Sequence, residues 1–235
     1  MGLTWPKLIP GTLLKRYKRF LADVRLEKGE TVTAHCPNTG SMKTCCEHGR
    51  PVYLSYHPHP KRKLKYTWQL IEMADSLVGI NTGIPNRLVQ KSIRDGRIEE
   101  LSGYDDVISE VKTSSHSRID LLLQKEGKKK CFVEIKNCTF VEEGVAAFPD
   151  AVTDRGLKHL VELQNLLSKG SRCVMFYLIQ RMDAAVFKPA DRIDPAYGRM
   201  LRQAVRNGVE IMAYDVSIDL KTIILNRKIP LMIKS

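Results

Sequence analysis

Hydrophobic and polar residues alternate with a period of two through most of the first 80 positions of the chain. A period of two is the spacing of side chains on one face of a strand. The alternating stretches end at turn-forming residues, as at Pro37-Asn38-Thr39-Gly40. The pattern predicts five short strands, at 11–26, 31–36, 51–56, 66–73 and 77–81. Five short strands within so few residues predict a small closed or partly open β-barrel.

The pattern changes after Thr82-Gly83, where helical spacing of apolar residues begins to alternate with strand-like runs. Helices are predicted at 85–95, 154–168 and 195–207. Strands are predicted at 107–112, 117–123, 131–137, 173–179 and 209–214. The run at 173–179 is apolar throughout, which is typical of a strand at the centre of a sheet. The order α-β-β-β-α-β-α-β predicts a mixed sheet with helices on both faces.

The two halves together predict a mixed α/β chain with two domains. Residues 1–82 are expected to form an OB-like barrel, for which an SH3-like barrel is the structural alternative. Residues 83–235 are expected to form an α/β domain around a mixed central sheet.

Charge is distributed unevenly between these halves. The chain has 235 residues and a formal net charge of +12 at pH 7. Residues 1–66 contain 13 Lys and Arg against 4 Asp and Glu, a net charge of +9, and the rest contributes only +3. A localised positive field attracts polyanions, so nucleic acid is the first expected partner and an anionic membrane surface the second.

Membrane insertion and secretion are not predicted. No apolar run approaches the roughly 18 residues that span a bilayer. The start of the chain lacks the charged-then-apolar order of a signal peptide. The six cysteines are therefore expected to be reduced thiols in the cytoplasm. Cys36, Cys45 and Cys46, with His35 and His48, lack zinc-ligand spacing, so we expect structural cysteines.

Three charged residues stand on two adjacent, strongly apolar strands. Asp120 points away from its apolar neighbours on 117–123, and Glu134 and Lys136 share one face of 131–137. If the two strands form a hairpin, Asp120 approaches Glu134. Two converging carboxylates suit Mg²⁺ (or Mn²⁺), and Lys136 beside them would orient or deprotonate a water for metal-assisted phosphodiester hydrolysis. The alternative is a cross-strand ion pair on an exposed edge.

Asp120 followed by Glu134-Ile135-Lys136 on the next strand resembles the PD-(D/E)XK nuclease superfamily, whose core has this order of elements. Longer stretches resemble the sugar fermentation stimulation protein A (SfsA) family over essentially the whole chain. They lie at 35–42, 99–104, 109–112, 117–120 and 148–160. The resemblance implies an N-terminal OB-like domain, a C-terminal nuclease-like domain and DNA binding. It also implies that Asp120 and Glu134 are metal ligands and that Lys136 is the catalytic lysine.

Three further residues follow this strand in the predicted helix at 154–168. Arg155 and Lys158 place positive charge where a phosphate would lie, and His159 is a candidate general acid. The alternative is an ordinary solvated first turn, with Asp150 or Thr153 as its N-cap.

Two basic clusters in the first domain are interleaved with aromatic residues. Cations that follow the phosphates and rings that stack on bases are typical of surfaces that bind single strands. Tyr17 and Phe20 lie on opposite faces of their predicted strand, so at least one is expected in the core. The candidate DNA-binding residues of this domain are Lys15, Arg16, Lys18, Arg19, Lys61, Arg62, Lys63, Lys65 and Trp68.

These observations lead to two hypotheses of function. The first is an Mg²⁺-dependent nuclease that acts on DNA and uses the barrel to hold its substrate. The second is a non-catalytic DNA-binding regulatory protein on a nuclease-like scaffold. The sequence leaves the oligomeric state open, a dimer included.

Overall fold

The computed structural model describes residues 2–114 and 117–233. The predicted domains run from Met1 to Ser235, and these two terminal residues lie outside the described ones. Three α-helices occur in these residues: α1 (Ile84–Arg94), α2 (Asp154–Ser168) and α3 (Pro195–Asn207). The strands are β1 (Leu3–Thr4), β2 (Leu8–Tyr17), β3 (Leu21–Leu26), β4 (Thr31–His35), β5 (Pro51–Tyr56), β6 (Tyr66–Glu72), β7 (Leu77–Gly79), β8 (Asp106–Lys112), β9 (Arg118–Gln124), β10 (Cys131–Cys138), β11 (Val141–Glu142), β12 (Val145–Phe148), β13 (Arg172–Ile179), β14 (Val186–Pro189), β15 (Glu210–Ile218) and β16 (Thr222–Lys228).

The first domain is a closed barrel, as predicted. Its strands follow the order β4-β3-β2-β5-β6-β7, and parallel pairing of β4 with β6 closes the sheet. Buried residues from all sides fill the interior, among them Leu13, Val24, Leu54 and Trp68. Closure satisfies the backbone groups that an open edge would leave unpaired.

The predicted strand at 11–26 is instead two strands joined by a tight turn. β2 and β3 form an antiparallel hairpin in which Tyr17 pairs with Leu21. Lys18 and Arg19 take positive φ angles of 49° and 66° in the turn, a conformation unusual for residues other than glycine. Because no Gly, Asn or Pro marks this turn and the alternation continues across it, the sequence pattern shows only one long strand.

The second domain is built on a seven-stranded sheet with the order β1-β16-β15-β13-β10-β9-β8. β10, β13 and β15 are mutually parallel, and β13 lies near the centre, as its apolar sequence predicts. α1 packs on one face, and α2 and α3 pack on the other. The predicted mixed sheet with helices on both faces is confirmed.

The first few residues of the chain pack on the second domain, across the predicted boundary at residue 82. Leu3 and Thr4 pair with Ile223 and Thr222 at the edge of the second sheet, and Trp5 is buried in the core of that domain. A two-residue strand has no periodicity of its own, so its partner is decided by tertiary contacts. The strands β11, β12, β14 and β16 were not predicted.

Candidate functional site

The strands that carry the predicted triad separate at the site. β9 and β10 pair from Cys131 opposite Leu123 to Val133 opposite Leu121, and the pairing ends there. The next hydrogen bond is made by a side chain instead: the Ile135 amide donates to Asp120 Oδ2 at 2.7 Å. The two strands therefore form a fork, and Asp120 lies in it. The predicted hairpin is confirmed.

Asp120 is held by a second contact that the sequence reasoning missed. Asn86 Nδ2, on the first turn of α1, donates to Asp120 Oδ1 at 2.7 Å. The predicted alternation along β9 holds for Leu121 and Leu123, which pack in the core beneath α1, but not for Ile119, which packs in the core beneath α2. The reason is that β9 has already left β10 at Ile119.

Glu134 is almost completely buried, with 2% of its surface exposed. Lys136 Nζ donates to Glu134 Oε1 at 2.6 Å and lies 3.0 Å from His159 Nδ1. His159 Nδ1 also contacts Glu134 Oε1 closely. The other ring nitrogen, Nε2, accepts from Arg155 Nε at 3.5 Å, so the tautomer with its proton on Nδ1 matches the contacts with Arg155 and Glu134, though not the one with Lys136. The structure thus brings together the four predicted catalytic residues.

The two carboxyl groups differ in their pKa values. Burial, assisted by the negative charge of Glu134, raises the pKa of Asp120 from 3.8 to about 6. Burial also acts to raise the pKa of Glu134, but the hydrogen bond from His159 and the charge of Lys136 outweigh it and lower this pKa below its ordinary value. Glu134 is therefore ionised at neutral pH, whereas the pKa of Asp120 lies close to neutral pH.

One buried oxygen of the site lacks a partner in the part of the chain that the structure describes. Glu134 Oε2 is buried and accepts no hydrogen bond among the described residues, which is costly for a carboxylate. A cation that brings its own waters fits this position, because Mg²⁺ commonly uses only one or two carboxylates. No group of three His, Cys, Asp or Glu side chains gathers around a metal position in residues 2–114 and 117–233. The residues that could hold a metal here are the two predicted ones, Asp120 and Glu134.

A groove of about 1060 Å³ leads to this cluster. The end of the β8–β9 hairpin lines one wall with Lys112 and Arg118, and the first turns of α2 line the other with Arg155 and Lys158. Arg155 and Lys158 are exposed, as a contact to phosphate requires. Lys112 and Arg118 were not predicted; Arg118 lies two residues before Asp120, a spacing that hinted at their proximity.

The first turn of α2 is also held by a specific cap. Thr153 Oγ1 accepts from the Gly156 amide at 3.0 Å, so Thr153 rather than Asp150 is the N-cap. Asp150 instead reaches the barrel, where its Oδ2 accepts from the Met42 amide at 3.1 Å and from Ser41 Oγ at 3.3 Å.

Most of the predicted basic residues of the barrel gather at one end, which we call the barrel rim. It consists of the β2–β3 turn (18–20), the loop after β4 (36–46) and the β5–β6 loop (57–65). The strand register brings these segments together: Leu21 pairs with His35, His35 with Thr67, and Tyr56 with Tyr66. Two basic clusters about 40 residues apart in sequence therefore share one surface.

The rim carries several unobstructed cations. Lys18, Lys61, Lys63 and Lys65 are exposed. Arg62 is partly buried and donates to Thr67 Oγ1 at 2.5 Å.

Two other predicted DNA contacts lie beside the rim. Lys15 is on the body of β2, where its Nζ lies 3.4 Å from Asp23. Arg19 is exposed, and its Nε donates to the Thr39 carbonyl at 3.2 Å.

Two residues predicted to bind DNA have other roles. Trp68 is wholly buried, and its indole donates to the Leu70 carbonyl at 2.8 Å, so it cannot stack on a base. Arg16 directs its guanidinium to backbone carbonyls of Arg19, Asn38 and Gly40, at 2.8 to 2.9 Å. Arg16 thereby ties two segments of the rim together. Of the two aromatic residues in this region, Tyr17 is partly buried and Phe20 is exposed.

The rim is fastened to the second domain close to the groove. Besides the contacts of Asp150, Thr44 Oγ1 donates to the Thr139 carbonyl at 3.2 Å, and Thr82 Oγ1 donates to the Pro37 carbonyl at 3.0 Å. Thr82 immediately precedes α1, which holds Asp120 through Asn86. Hydrogen bonds thus link the charged rim to the elements that hold the buried carboxylates.

The six cysteines are free thiols, five of them buried. Within the described residues, no helix is long and apolar enough to cross a membrane.

Comparisons with known proteins agree with this architecture. The family model "SfsA N-terminal OB domain" matches residues 14–80, and "Sugar fermentation stimulation protein RE domain" matches residues 83–222. The sugar fermentation stimulation protein homolog of Geobacter sulfurreducens is 54% identical over 226 residues, 96% of each chain. The Acidithiobacillus ferrooxidans homolog is 51% identical over 210 residues, 89% of this chain and 90% of the relative.

A solved structure, described as Pyrococcus furiosus SfsA in complex with Ca²⁺, superposes with a TM-score of 0.89. It is 27% identical in sequence, and the match covers 99% of both chains. The two domain models, the full-length relatives and this structure lead to the same conclusion. The chain belongs to the sugar fermentation stimulation protein (SfsA) family.

Proposed function

We propose that this protein binds DNA and hydrolyses its phosphodiester bonds with Mg²⁺ or Mn²⁺ held by Asp120 and Glu134, in a PD-(D/E)XK nuclease-like domain. The observation that carries the proposal is Glu134 Oε2, which has no hydrogen-bond partner among the described residues and is buried in a fork that also contains Asp120. The fork lies at the end of a groove lined by four basic and two acidic side chains. A buried carboxylate oxygen without a partner is unusual, and a bound cation would satisfy it.

The chemistry follows from the groups in the fork. A bound divalent cation would lower the pKa of a coordinated water and stabilise the charge on a phosphate. Lys136, with its Nζ on Glu134, is placed to orient the attacking water and to offset negative charge. Arg155 and Lys158 hold the phosphate backbone from the α2 wall. His159 lines the same groove and, protonated on Nε2 in place of its contact with Arg155, would serve as the proton donor for the leaving oxygen.

Affinity for DNA is assigned to the barrel rim and the groove. Lys18, Lys61, Lys63 and Lys65 supply exposed positive charge, which neutralises phosphates with release of counterions. Support for a divalent metal comes from the archaeal relative, which is described as a complex with Ca²⁺, because Ca²⁺ and Mg²⁺ both take oxygen ligands. Six free thiols support a cytoplasmic location.

A second candidate is binding without catalysis. It is favoured by the way Lys136 and His159 both satisfy Glu134 Oε1, which leaves the buried negative charge compensated even without a metal.

Incubation of the purified protein with single- and double-stranded DNA, with EDTA, Mg²⁺ or Mn²⁺, separates the two candidates. We expect cleavage that requires the metal and is absent from Glu134→Ala. Tight binding of these substrates without any cleavage would leave the second candidate.

A further inference from the structure

Phe20 presents an aromatic ring to solvent at the tip of the β2–β3 turn. Its side chain is 47% exposed, although burying a phenylalanine is favourable by about 1.5 to 3 kcal/mol. Tyr56, 45% exposed, is the last residue of β5 and adjoins the β5–β6 loop of the rim. Among the described residues, these are the two aromatic side chains with exposure this high, and they lie on the surface that carries the cations.

The backbone under Phe20 is fixed. Lys18 and Arg19 hold positive φ angles, and the Phe20 carbonyl accepts from the Cys36 amide at 2.8 Å. Arg16 binds the Arg19 carbonyl and the loop after β4 with one guanidinium. A ring on a fixed turn loses little entropy on binding a flat partner, so its exposure is suited to recognition.

Tyr56 is fixed in a comparable way. Its ring lies 5.2 Å, centroid to centroid, from that of Tyr66 across the β5–β6 pair. Lys61, Lys63 and Lys65 occupy the loop that joins these strands. Both exposed rings are thus next to exposed positive charge, and this combination fits a ligand with flat faces and regularly spaced anions.

We infer that Phe20 and Tyr56 stack on unpaired bases, so that the preferred ligand is a single-stranded nucleic acid or a duplex with a single-stranded segment. The bases of a continuous duplex are already stacked on each other, and only an unpaired base offers its face to a ring. The inference rests on the proposed function, because it names the form of nucleic acid that the rim delivers to the groove.

The connection from rim to groove supports this path for a strand. Arg16 joins the Phe20 turn to the loop after β4, and Asp150 binds that loop through Ser41 and Met42. Asp150 is only five residues before Arg155, which lines the groove. The turn that carries Phe20 is thus linked to the α2 wall of the groove through two hydrogen-bonded segments.

The test compares Phe20→Ala and Phe20→Trp with the wild type. The native tryptophans Trp5 and Trp68 are buried, so the indole of Phe20→Trp is an exposed reporter. Leu220→Ala is the matched control, because Leu220 is 46% exposed but lies between β15 and β16. Binding is measured in EDTA, which prevents cleavage, with labelled oligothymidylate, the RNA equivalent oligouridylate, a blunt hairpin duplex and phosphatidylserine vesicles.

We expect Phe20→Ala to weaken single-strand binding about tenfold and duplex binding by less than about twofold. Leu220→Ala should match the wild type. Phe20→Trp should retain affinity, and its fluorescence should be quenched by the single strands. The ratio of the DNA and RNA affinities identifies which single strand is preferred.

Three results would overturn the inference. Equal loss of single-strand and duplex affinity in Phe20→Ala means that the ring does not read unpaired bases. Unquenched Phe20→Trp in a formed DNA complex means that it does not stack. A response of Phe20→Trp to vesicles but not to nucleic acid assigns the ring to membranes. Failure of the wild type to bind any nucleic acid is distinct from these, because it overturns the proposed function itself.

Discussion

The fork between β9 and β10 and the barrel rim contrast in almost every physical respect. In the fork, Asp120, Glu134 and Lys136 are largely buried: Lys136 pairs with Glu134, and Asp120 accepts a hydrogen bond from the amide of Ile135 between them. At the rim, Lys18 and Lys61 stand in solvent and depend on a partner for neutralisation. In the proposed function, the fork acts on a single phosphate and the rim supplies affinity for many. Substitutions should separate the two properties.

The largest effect is expected from Glu134→Gln. Loss of the charge removes a metal ligand and the partner of Lys136, so cleavage should fall by at least about a thousandfold. DNA affinity in EDTA should change by less than about twofold, since the rim is untouched. Single-turnover cleavage and fluorescence anisotropy measure the two quantities. Glu126→Gln, an exposed residue between β9 and β10, is the control, and equal loss of cleavage there would contradict the account.

The opposite pattern is expected from Lys61→Ala combined with Lys63→Ala. Two lost phosphate contacts should weaken DNA binding about tenfold and reduce the salt dependence, with little change in the rate of the bound complex. The control is Lys129→Ala with Lys130→Ala, two equally exposed lysines before β10. If both double variants lose the same affinity, attraction is a property of total charge and not of the rim.

Metal binding should depend on pH because the fork holds a carboxyl group with a raised pKa. The pKa of Asp120 is about 6, and a metal competes with its proton. Affinity for Mn²⁺ should therefore rise about tenfold between pH 5 and pH 7 and level off above that. Isothermal titration calorimetry measures the affinity. An affinity that stays flat over this range would show that Asp120 is not a ligand.

The smallest effect is a gain in stability. A raised folded-state pKa means that the contribution of Asp120 to stability is present below pH 3.8 and is lost as pH rises through about 6. Asp120→Asn cannot ionise, so it avoids this loss of stability at high pH. The substitution also disrupts one of the two hydrogen bonds that the carboxylate accepts. We expect a net gain of about 1 to 2 kcal/mol in the free energy of unfolding at pH 7.5, and none at pH 4.

Urea denaturation of Asp120→Asn at the two pH values checks this prediction. Asp105→Asn is the control, because this carboxyl group is exposed and pairs with Lys125 at the surface. Equal stability of Asp120→Asn and wild type at pH 7.5 would mean that the buried charge is already compensated.

The same contrast explains what the sequence could predict. The arrangement in the fork follows from strand alternation, because side chains two positions apart on a strand point to the same face. Glu134 and Lys136 could be paired in this way from the sequence. Asn86 could not, since its contact with Asp120 depends on how α1 packs on the sheet.

The rim was harder to predict. The aromatic residues near its two basic clusters include both a candidate for stacking on a base and a residue of the core. Alternation alone does not distinguish the exposed ring from the buried one. Trp68 is in the core and Phe20 is exposed. The chain turns at Lys18–Phe20 without a glycine, asparagine or proline to mark the turn, so alternation along 11–26 does not assign Phe20 to a face. A turn reverses the chain and so changes the face to which the following side chains point. When no typical turn residue marks it, periodicity alone assigns these side chains to the wrong face.

The central claim, that the fork binds a divalent metal, is tested most directly by anomalous diffraction from crystals soaked in Mn²⁺. The account predicts one strong peak within about 2.5 Å of both Glu134 Oε2 and an oxygen of Asp120, and its absence in Glu134→Gln. A well-ordered fork without a peak at saturating Mn²⁺, or a peak bound to other residues alone, would contradict it.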